Sequence, residues 1–451
     1  MPSWFGSTRL RPADRVVPPR PLDQPGGRRV GCHSDLYGEQ RRAPRNHAAA
    51  LRPSTAAGYG VLSTMKEKTI LIPAYDFKPL LGGVANYGHE LAVQFSKRAR
   101  VHVVSRKLPG MEEFDQDLPY KITRIRTPAS ALLSYPLFAR TLRRLIRVQP
   151  PDAVFCPTWL PDGAACRWAL RQAPIPYFVT AHGTEVFENF ASMQNSVRTV
   201  LTRKLKRKVF QQAEKVFPVS EYTRRAVLEE ACGDERRTIT VNNGVNPAIF
   251  KRTASKPDVE AKYRPHGERI LLTVTRLYPY KGVDRILESL PAISRAVPGV
   301  RYLVVGPGPD LPRLQALTAR LGLQTQVSFL GPLPLSEIVE LYGLADLFVM
   351  LSRDEPPDVE GFGLVFLEAA ACGLPSVGGR SGGIPDAIDE GKSGWLVDPC
   401  NTQEIAATII ELLKSPERLQ RASEFCLSTA PQKTWERAAD RILGEMFDGR
   451  T

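Results

Sequence analysis

Short apolar runs alternate with longer amphipathic stretches along most of the chain, and the alternation happens twice. From Thr69 the apolar runs read TILIPAY, VHVVSR, KITRIR, DAVFCPT, PYFVTAHG and KVFPVS, each followed by a helical or polar segment such as that from about Val84 to Lys97. From Arg269 the rhythm restarts with RILLTVTRL, RYLVVGPG, VSFLGPL, LFVMLS, PSVGGR and GWLVDP. Apolar runs of this length predict strands buried on both faces, and strands separated by helices predict parallel sheets. The expected fold class is therefore α/β, with two Rossmann-like doubly wound domains over residues 65–250 and 267–430. A loop-rich polar linker, 251–266, is expected between them, and the closing segment, 431–451, carries a last helix from roughly Gln432 to Phe447.

Residues 1–64 show neither helical nor strand periodicity and are rich in Arg, Pro, Gly and Ala, so they are expected to be a disordered extension. They contain no apolar core of a secretory signal, although an Arg-rich, acid-poor stretch leaves an organelle-targeting reading open. The regular pattern begins with a polar cap after Met65.

Composition adds limits. A chain of 451 residues exceeds what one core usually holds, which agrees with two domains. No run of eighteen apolar residues occurs, so no membrane-spanning helix is expected. The seven cysteines are scattered, without a C-x-x-C or a paired histidine spacing, which argues against structural zinc and for a reducing, cytoplasmic setting. Of the net charge of +14, ten Arg and four acidic residues place +6 in residues 1–64, so the folded part is basic as well. Nucleotide phosphates, anionic lipid or nucleic acid would suit that charge, and so would an ordinary solvated surface.

The chemistry centres on Asp358 to Gly373, DVEGFGLVFLEAAACG. Glu360 and Glu368 flank a turn bracketed by Gly361 and Gly363, followed by an apolar helix that Gly373 and Pro375 end. Glycines let the backbone approach a ligand, and free N–H groups at the helix start attract anions. A carboxylate inside an apolar helix, as at Glu368, needs a partner. Other candidates also fall at carboxyl ends of predicted strands, where open α/β sheets bind ligands. They are Gly82-Gly83, His182, Arg276 with Lys281, the loop around Gly306, the segment Leu330–Leu333, and Ser381–Asp386.

EGFGLVFLE resembles the E-x7-E motif of retaining nucleotide-sugar glycosyltransferases of GT-B fold, family 4, and the other candidates resemble that family's motifs in the same order. The resemblance spans about residues 68–447 and implies two lobes facing across a cleft, with the final helix crossing back onto the first lobe. It implies that Glu368 accepts hydrogen bonds from ribose and Glu360 from sugar hydroxyls, with amides of Phe362, Gly363 and Leu364 touching sugar and diphosphate. Arg276 and Lys281 would neutralise the leaving group, His182 would orient the sugar, and Gly82 and Gly83 would cover the diphosphate. Gly306 and Leu333 would lie on the nucleotide. Asp386 stands where Glu is commoner, which weakens any role for it. The donor would be a UDP- or GDP-sugar, with no metal required and no specific nucleic acid partner, and the DVEGFG form is shared by GDP-mannose and UDP-sugar users.

The implied acceptor is a lipid-linked or small glycan. FARTLRRLIRV, from Phe138, and VRTVLTRKLKRKVF, from Val197, interleave cations with apolar residues on helical spacing, which suits peripheral contact with the inner face of an anionic membrane or ordinary packing. Rival readings are a GT-B epimerase or phosphorylase, and a basic lipid- or nucleic-acid-binding module without catalysis. The acidic pair with Arg276 and Lys281 favours transfer, and no G-x-G-x-x-G follows the first strand to support an oxidoreductase.

Overall fold

The computed structural model describes residues 67–448 except 81, 128–130, 184–185, 187–196, 231–232 and 254–255, so the expected disordered extension, 1–64, lies outside the described residues. The first repeat of the pattern runs β1 (Thr69–Pro73), α1 (Gly83–Ser96), β2 (Arg100–Arg106), α2 (Met111–Gln116), β3 (Lys121–Ile125), α3 (Ala131–Val148) and β4 (Ala153–Cys156). It continues with α4 (Ala164–Ala169), β5 (Tyr177–Ala181), α5 (Val197–Gln212), β6 (Lys215–Pro218) and α6 (Glu221–Glu230).

After α7 (Pro257–Tyr263) the second repeat runs β7 (Arg269–Val274), α8 (Val283–Ala296), β8 (Val300–Val305), α9 (Leu311–Arg320), β9 (Val327–Gly331), α10 (Leu335–Leu344) and β10 (Leu347–Met350). Then come α11 (Leu364–Ala371), β11 (Ser376–Gly379), α12 (Ile384–Ala387), β12 (Gly394–Val397), α13 (Thr402–Leu413), α14 (Pro416–Thr429) and α15 (Trp435–Phe447).

The strands form two six-stranded parallel sheets, ordered β3-β2-β1-β4-β5-β6 and β12-β11-β10-β7-β8-β9. The two orders are the same doubly wound topology, with the reversal beside β1 in one sheet and β7 in the other. Both faces of each sheet are buried, which is why the strands read as unbroken apolar runs. In the first sheet Ile70, Phe155 and Phe178 pack on one side, and Leu71, Val154 and Val179 on the other. In the second, Ile270, Leu303 and Phe348 alternate in the same way with Leu271, Val304 and Val349. Each fully buried aromatic or branched side chain contributes about 2 kcal/mol, so the inner strands of each sheet define the two cores.

The stretch expected to be a loop-rich linker differs, because it contains α7. Pro257 opens this helix, where its missing N–H costs nothing, Asp258 and Glu260 lie in the first turn where the helix dipole favours them, and Tyr263 is buried. At seven residues the helix is too short to show a periodicity.

Near the end of the chain α15 packs on α1 and β6 of the first repeat. Thr434 caps it by accepting from the Arg437 amide, and buried Trp435 sets its ring 5.7 Å from that of Tyr87. Arg98 bonds Asp440 at 2.5 Å, and Lys215 bonds Glu445 at 2.6 Å.

Candidate active site

The turn that carries Glu360 follows β10 and ends where Gly363, at φ 88°, starts α11. Phe362 is buried in the core, so only its backbone faces the turn's open side. Gly361 is required by close approach, since a Cβ there would lie 1.5 Å from the carbonyl oxygen of His182. That contact joins the loop after β5 of the first sheet to the loop after β10 of the second. It brings the His182 backbone against the residue next to Glu360.

The Glu360 carboxylate meets a cation. Lys281 Nζ donates to its Oε2 at 2.5 Å, and the ammonium also lies 4.7 Å from the centre of the Tyr280 ring. Burial works against the charged lysine, but Glu360 and Tyr280 more than offset it and hold the pKa above the ordinary lysine value. The turn Pro279–Lys281 is fixed from below by Arg353. Its guanidinium, nearly buried, donates to the Pro279 carbonyl at 2.6 Å, to Asp284 at 2.8 Å and to Glu355 at 2.6 Å. The Arg353 amide adds a 2.7 Å bond to the Tyr280 carbonyl. Lys281 therefore stands on a held turn rather than a loose loop.

Arg276 is exposed beyond the end of β7, with its guanidinium 5.6 Å from the Tyr278 ring centre. Among the described residues no carboxylate pairs with it, so its charge is available to a ligand. Its backbone is firmly placed, because Thr275 donates to the Val305 carbonyl and Leu277 to that of Pro307, each at 2.9 Å. The Gly306 loop is thus bonded to both sides of Arg276, and the Gly306 amide reaches the Gly331 carbonyl at 2.8 Å. Leu333, two residues further, is half-buried against the core. These three segments follow β7, β8 and β9 along one carboxyl edge of the second sheet.

Glu368 lies one turn into α11, half-buried, and accepts from the Tyr342 hydroxyl at 3.2 Å. Burial pushes its carboxyl up to about 7, against the opposing pull of the Tyr342 hydroxyl and the Lys78 charge. Lys78 comes from the loop between β1 and α1, so its charge reaches Glu368 from the first repeat.

His182 Nε2 lies 2.8 Å from the Pro157 carbonyl, which can only accept, so this nitrogen carries a proton. The ring stands edge-on to Tyr87 with centroids 4.7 Å apart. Tyr87 is one turn into α1 from Gly83. Gly82, at the start of the helix, and Gly83 are both exposed, and a Cβ at either would meet nothing within 4 Å. A continuous series of contacts therefore runs from α1 through Tyr87 and His182 to Gly361, Glu360 and Lys281.

Asp386 takes no place in that series. Its Oδ2 accepts from the Glu221 amide at 2.5 Å and from Asn242 at 3.4 Å, so it caps α6 of the first repeat. Sequence reasoning missed this cap, the Tyr342 partner of Glu368, and the Arg353 support of Lys281. Each pairs residues far apart in the chain, and no local spacing marks them.

Two doubly wound lobes that carry an acidic pair, a lysine and an arginine after their strands have the charges that suit a polar, anionic substrate. The chain matches the family models described as Glycosyltransferase Family 4 over residues 81–249 and Glycosyl transferases group 1 over residues 255–425. It is 32% identical to a GDP-mannose-dependent alpha-(1-6)-phosphatidylinositol monomannoside mannosyltransferase of Mycolicibacterium smegmatis, over 84% of this chain and 98% of the relative. A Mycobacterium tuberculosis protein described in the same words is 30% identical, over 77% of this chain and 90% of the relative. The crystal structure of Anabaena HepE in complex with UDP and glucose has a similar fold, with a TM-score of 0.68 at 20% identity, covering 85% of this chain and all of that one. The chain belongs to the family 4, group 1 glycosyltransferases, enzymes of GT-B fold that transfer a sugar from a nucleoside diphosphate sugar.

Proposed function

We propose that the donor is GDP-mannose, that the acceptor hydroxyl belongs to a lipid-linked glycan of phosphoinositide type, and that the sugar keeps its anomeric configuration. The descriptions of the mycobacterial relatives, which name GDP-mannose and phosphatidylinositol monomannoside, support the donor and acceptor. The observation that carries the site is the 2.5 Å pair of Lys281 and Glu360 beside Gly361, where the two lobes touch.

With no donor bound, the pair neutralises itself. A nucleoside diphosphate sugar brings hydroxyls that donate to Glu360 and a diphosphate that attracts Lys281 and the unpaired Arg276, so each half of the pair gains a ligand. Glu368 accepts from the ribose. The amides of Phe362, Gly363 and Leu364, at the start of α11, face sugar and diphosphate, and Gly82 and Gly83 cover the diphosphate from the other lobe. Gly306 and Leu333 flank the nucleotide, and His182, its ring oriented by the Nε2–H bond to the Pro157 carbonyl, orients the sugar.

In the transfer step the acceptor oxygen bonds to the anomeric carbon as the bond to the diphosphate oxygen breaks on the same face. The acceptor proton passes to that departing oxygen. Glu360 is held as a partner of Lys281 and the sugar hydroxyls, so no glycosyl-enzyme bond forms. Arg276 and Lys281 stabilise the charge that develops on the diphosphate, and none of these roles calls for a metal.

The same reading sets the first lobe on an anionic membrane. Helix α3 buries Phe138, Leu142 and Ile146 and exposes Arg140, Arg144 and Arg147 between Leu137 and Val148. Helix α5 exposes Arg203, Lys204, Arg207 and Lys208 beside Val200 and Leu201. Among the described residues none of these seven cations pairs with a carboxylate. No described helix is long and apolar enough to cross a membrane, so surface contact is the mode that these helices suit. Transfer assays with GDP-mannose and UDP-glucose, each with phosphoinositide vesicles, test the assignment. Mannose incorporation supports it, and incorporation of glucose alone overturns it.

A further inference from the structure

The first turn of α6 belongs to the first repeat, yet two loops and the short helix α12 of the second repeat rest on it. The turn itself is rigid, because Ser220 caps it by accepting from the Thr223 amide at 3.1 Å, and both side chains are fully buried. The next amide, that of Glu221, has no acceptor of its own repeat and donates to Asp386 at 2.5 Å. The Tyr222 hydroxyl reaches both carboxylate oxygens of Asp354, at 2.7 and 2.8 Å. The Thr223 hydroxyl lies 3.5 Å from the Gly361 carbonyl.

These contacts converge on Glu360. The Gly383 amide, three residues before Asp386, donates to the Glu360 carbonyl at 2.8 Å. A Cβ on Gly383 would lie 2.0 Å from the Gly361 carbonyl and 2.7 Å from Ser220 Oγ, so the backbones are stacked without room for a side chain. The order from first lobe to second is therefore Ser220, then Gly383, then the Glu360–Gly361 backbone. Movement of α6 relative to the second sheet would shift the carboxylate that sits on that stack.

We propose that Ser220–Thr223 forms a clasp that holds the Glu360 loop at its working height when the lobes are closed, and that Asp386 and Tyr222 are positioning residues for transfer. This rests on Glu360 being the carboxylate that binds the sugar. Neither Asp386 nor Tyr222 needs to touch the donor. Their carboxylate and hydroxyl bonds fix a backbone, and a misplacement of about 1 Å at a reacting group is enough to slow a reaction by about a hundredfold. The clasp also keeps water out of the closed site, so its loss favours hydrolysis of the donor over transfer.

Asp386→Ala and Tyr222→Phe should each lower kcat by about tenfold or more and raise the ratio of hydrolysis to transfer. Kd for GDP-mannose and UDP-glucose, measured by calorimetry, should stay within about threefold, since neither side chain is among those assigned to the donor. Asp386→Asn, whose carbonyl still accepts from the Glu221 amide, should restore most of the rate. The clasp is overturned if both variants transfer at the unaltered rate with an unchanged hydrolysis ratio, or if kcat falls only in step with donor affinity. Should Asp386→Ala fail to fold, Tyr222→Phe decides the matter alone. Glu360→Gln, run alongside, separates the two readings. If it is fully active, the site assignment and the clasp both fall; if it is inactive while Asp386→Ala and Tyr222→Phe are fully active, only the clasp falls.

Discussion

The carbonyl oxygen of His182 fills the space that a side chain on Gly361 would need, 1.5 Å from where its Cβ would stand. The lobes therefore meet at a point where one residue is glycine and its neighbour is the catalytic candidate Glu360. Gly361→Ala can be accommodated only by moving backbone apart. Transfer should fall by about a hundredfold, with donor affinity nearly unchanged, in steady-state kinetics paired with calorimetry.

Lys281 and Glu360 are both largely covered, with side-chain exposures of 12% and 16%. Removing one leaves the other half-buried without its counter-charge, whereas removing both leaves two neutral groups. Lys281→Met should unfold at a lower temperature than the double variant Lys281→Met/Glu360→Gln, while both are inactive. Thermal melts of the two, beside the unaltered protein, check this.

Glu368 makes the ligand-free fold less stable as pH rises. Its carboxyl ionises near 7 in the fold against an ordinary value of 4.5, so between those pH values the folded form holds a proton that the unfolded form has released. Stability falls across that window, and the loss is complete above it. Glu368→Gln should raise the Tm by a few degrees at about pH 8 and change it little at about pH 4.5, while weakening nucleotide binding at about pH 8. Donor affinity of the unaltered protein should rise as pH passes upward through about 7, because the ionised carboxylate is the better acceptor for ribose hydroxyls.

The basic faces of α3 and α5 should behave as an ionic surface. Co-sedimentation with phosphatidylinositol vesicles should be strong at low salt and weak at about 1 M salt, where the screening length shrinks to about 3 Å. Arg144→Glu with Arg207→Glu should abolish it without altering hydrolysis of soluble donor.

Most of the architecture was legible in the chain, since the buried inner strands of both sheets leave apolar runs that helices must separate. The fold class followed from local pattern, and the acidic motif from its resemblance to that of the family. What the pattern hid was assembled from distant residues. Nothing near Tyr342 announces a partner for Glu368, and Arg353 reaches Asp284 across 69 positions. Asp386 reads as part of a donor loop, yet its carboxylate turns to the amide of Glu221, 165 residues away. Helix α7 escaped for another reason, being barely two turns inside a proline-containing polar stretch.

The most direct test of the account is the rate of mannose transfer from GDP-mannose by Arg276→Ala and by Glu360→Gln, each shown by circular dichroism to be folded. With the arginine proposed to act on the departing diphosphate and the glutamate on the sugar, both variants should lose on the order of a hundredfold or more in kcat. Two folded variants that transfer at the unaltered rate would contradict the site.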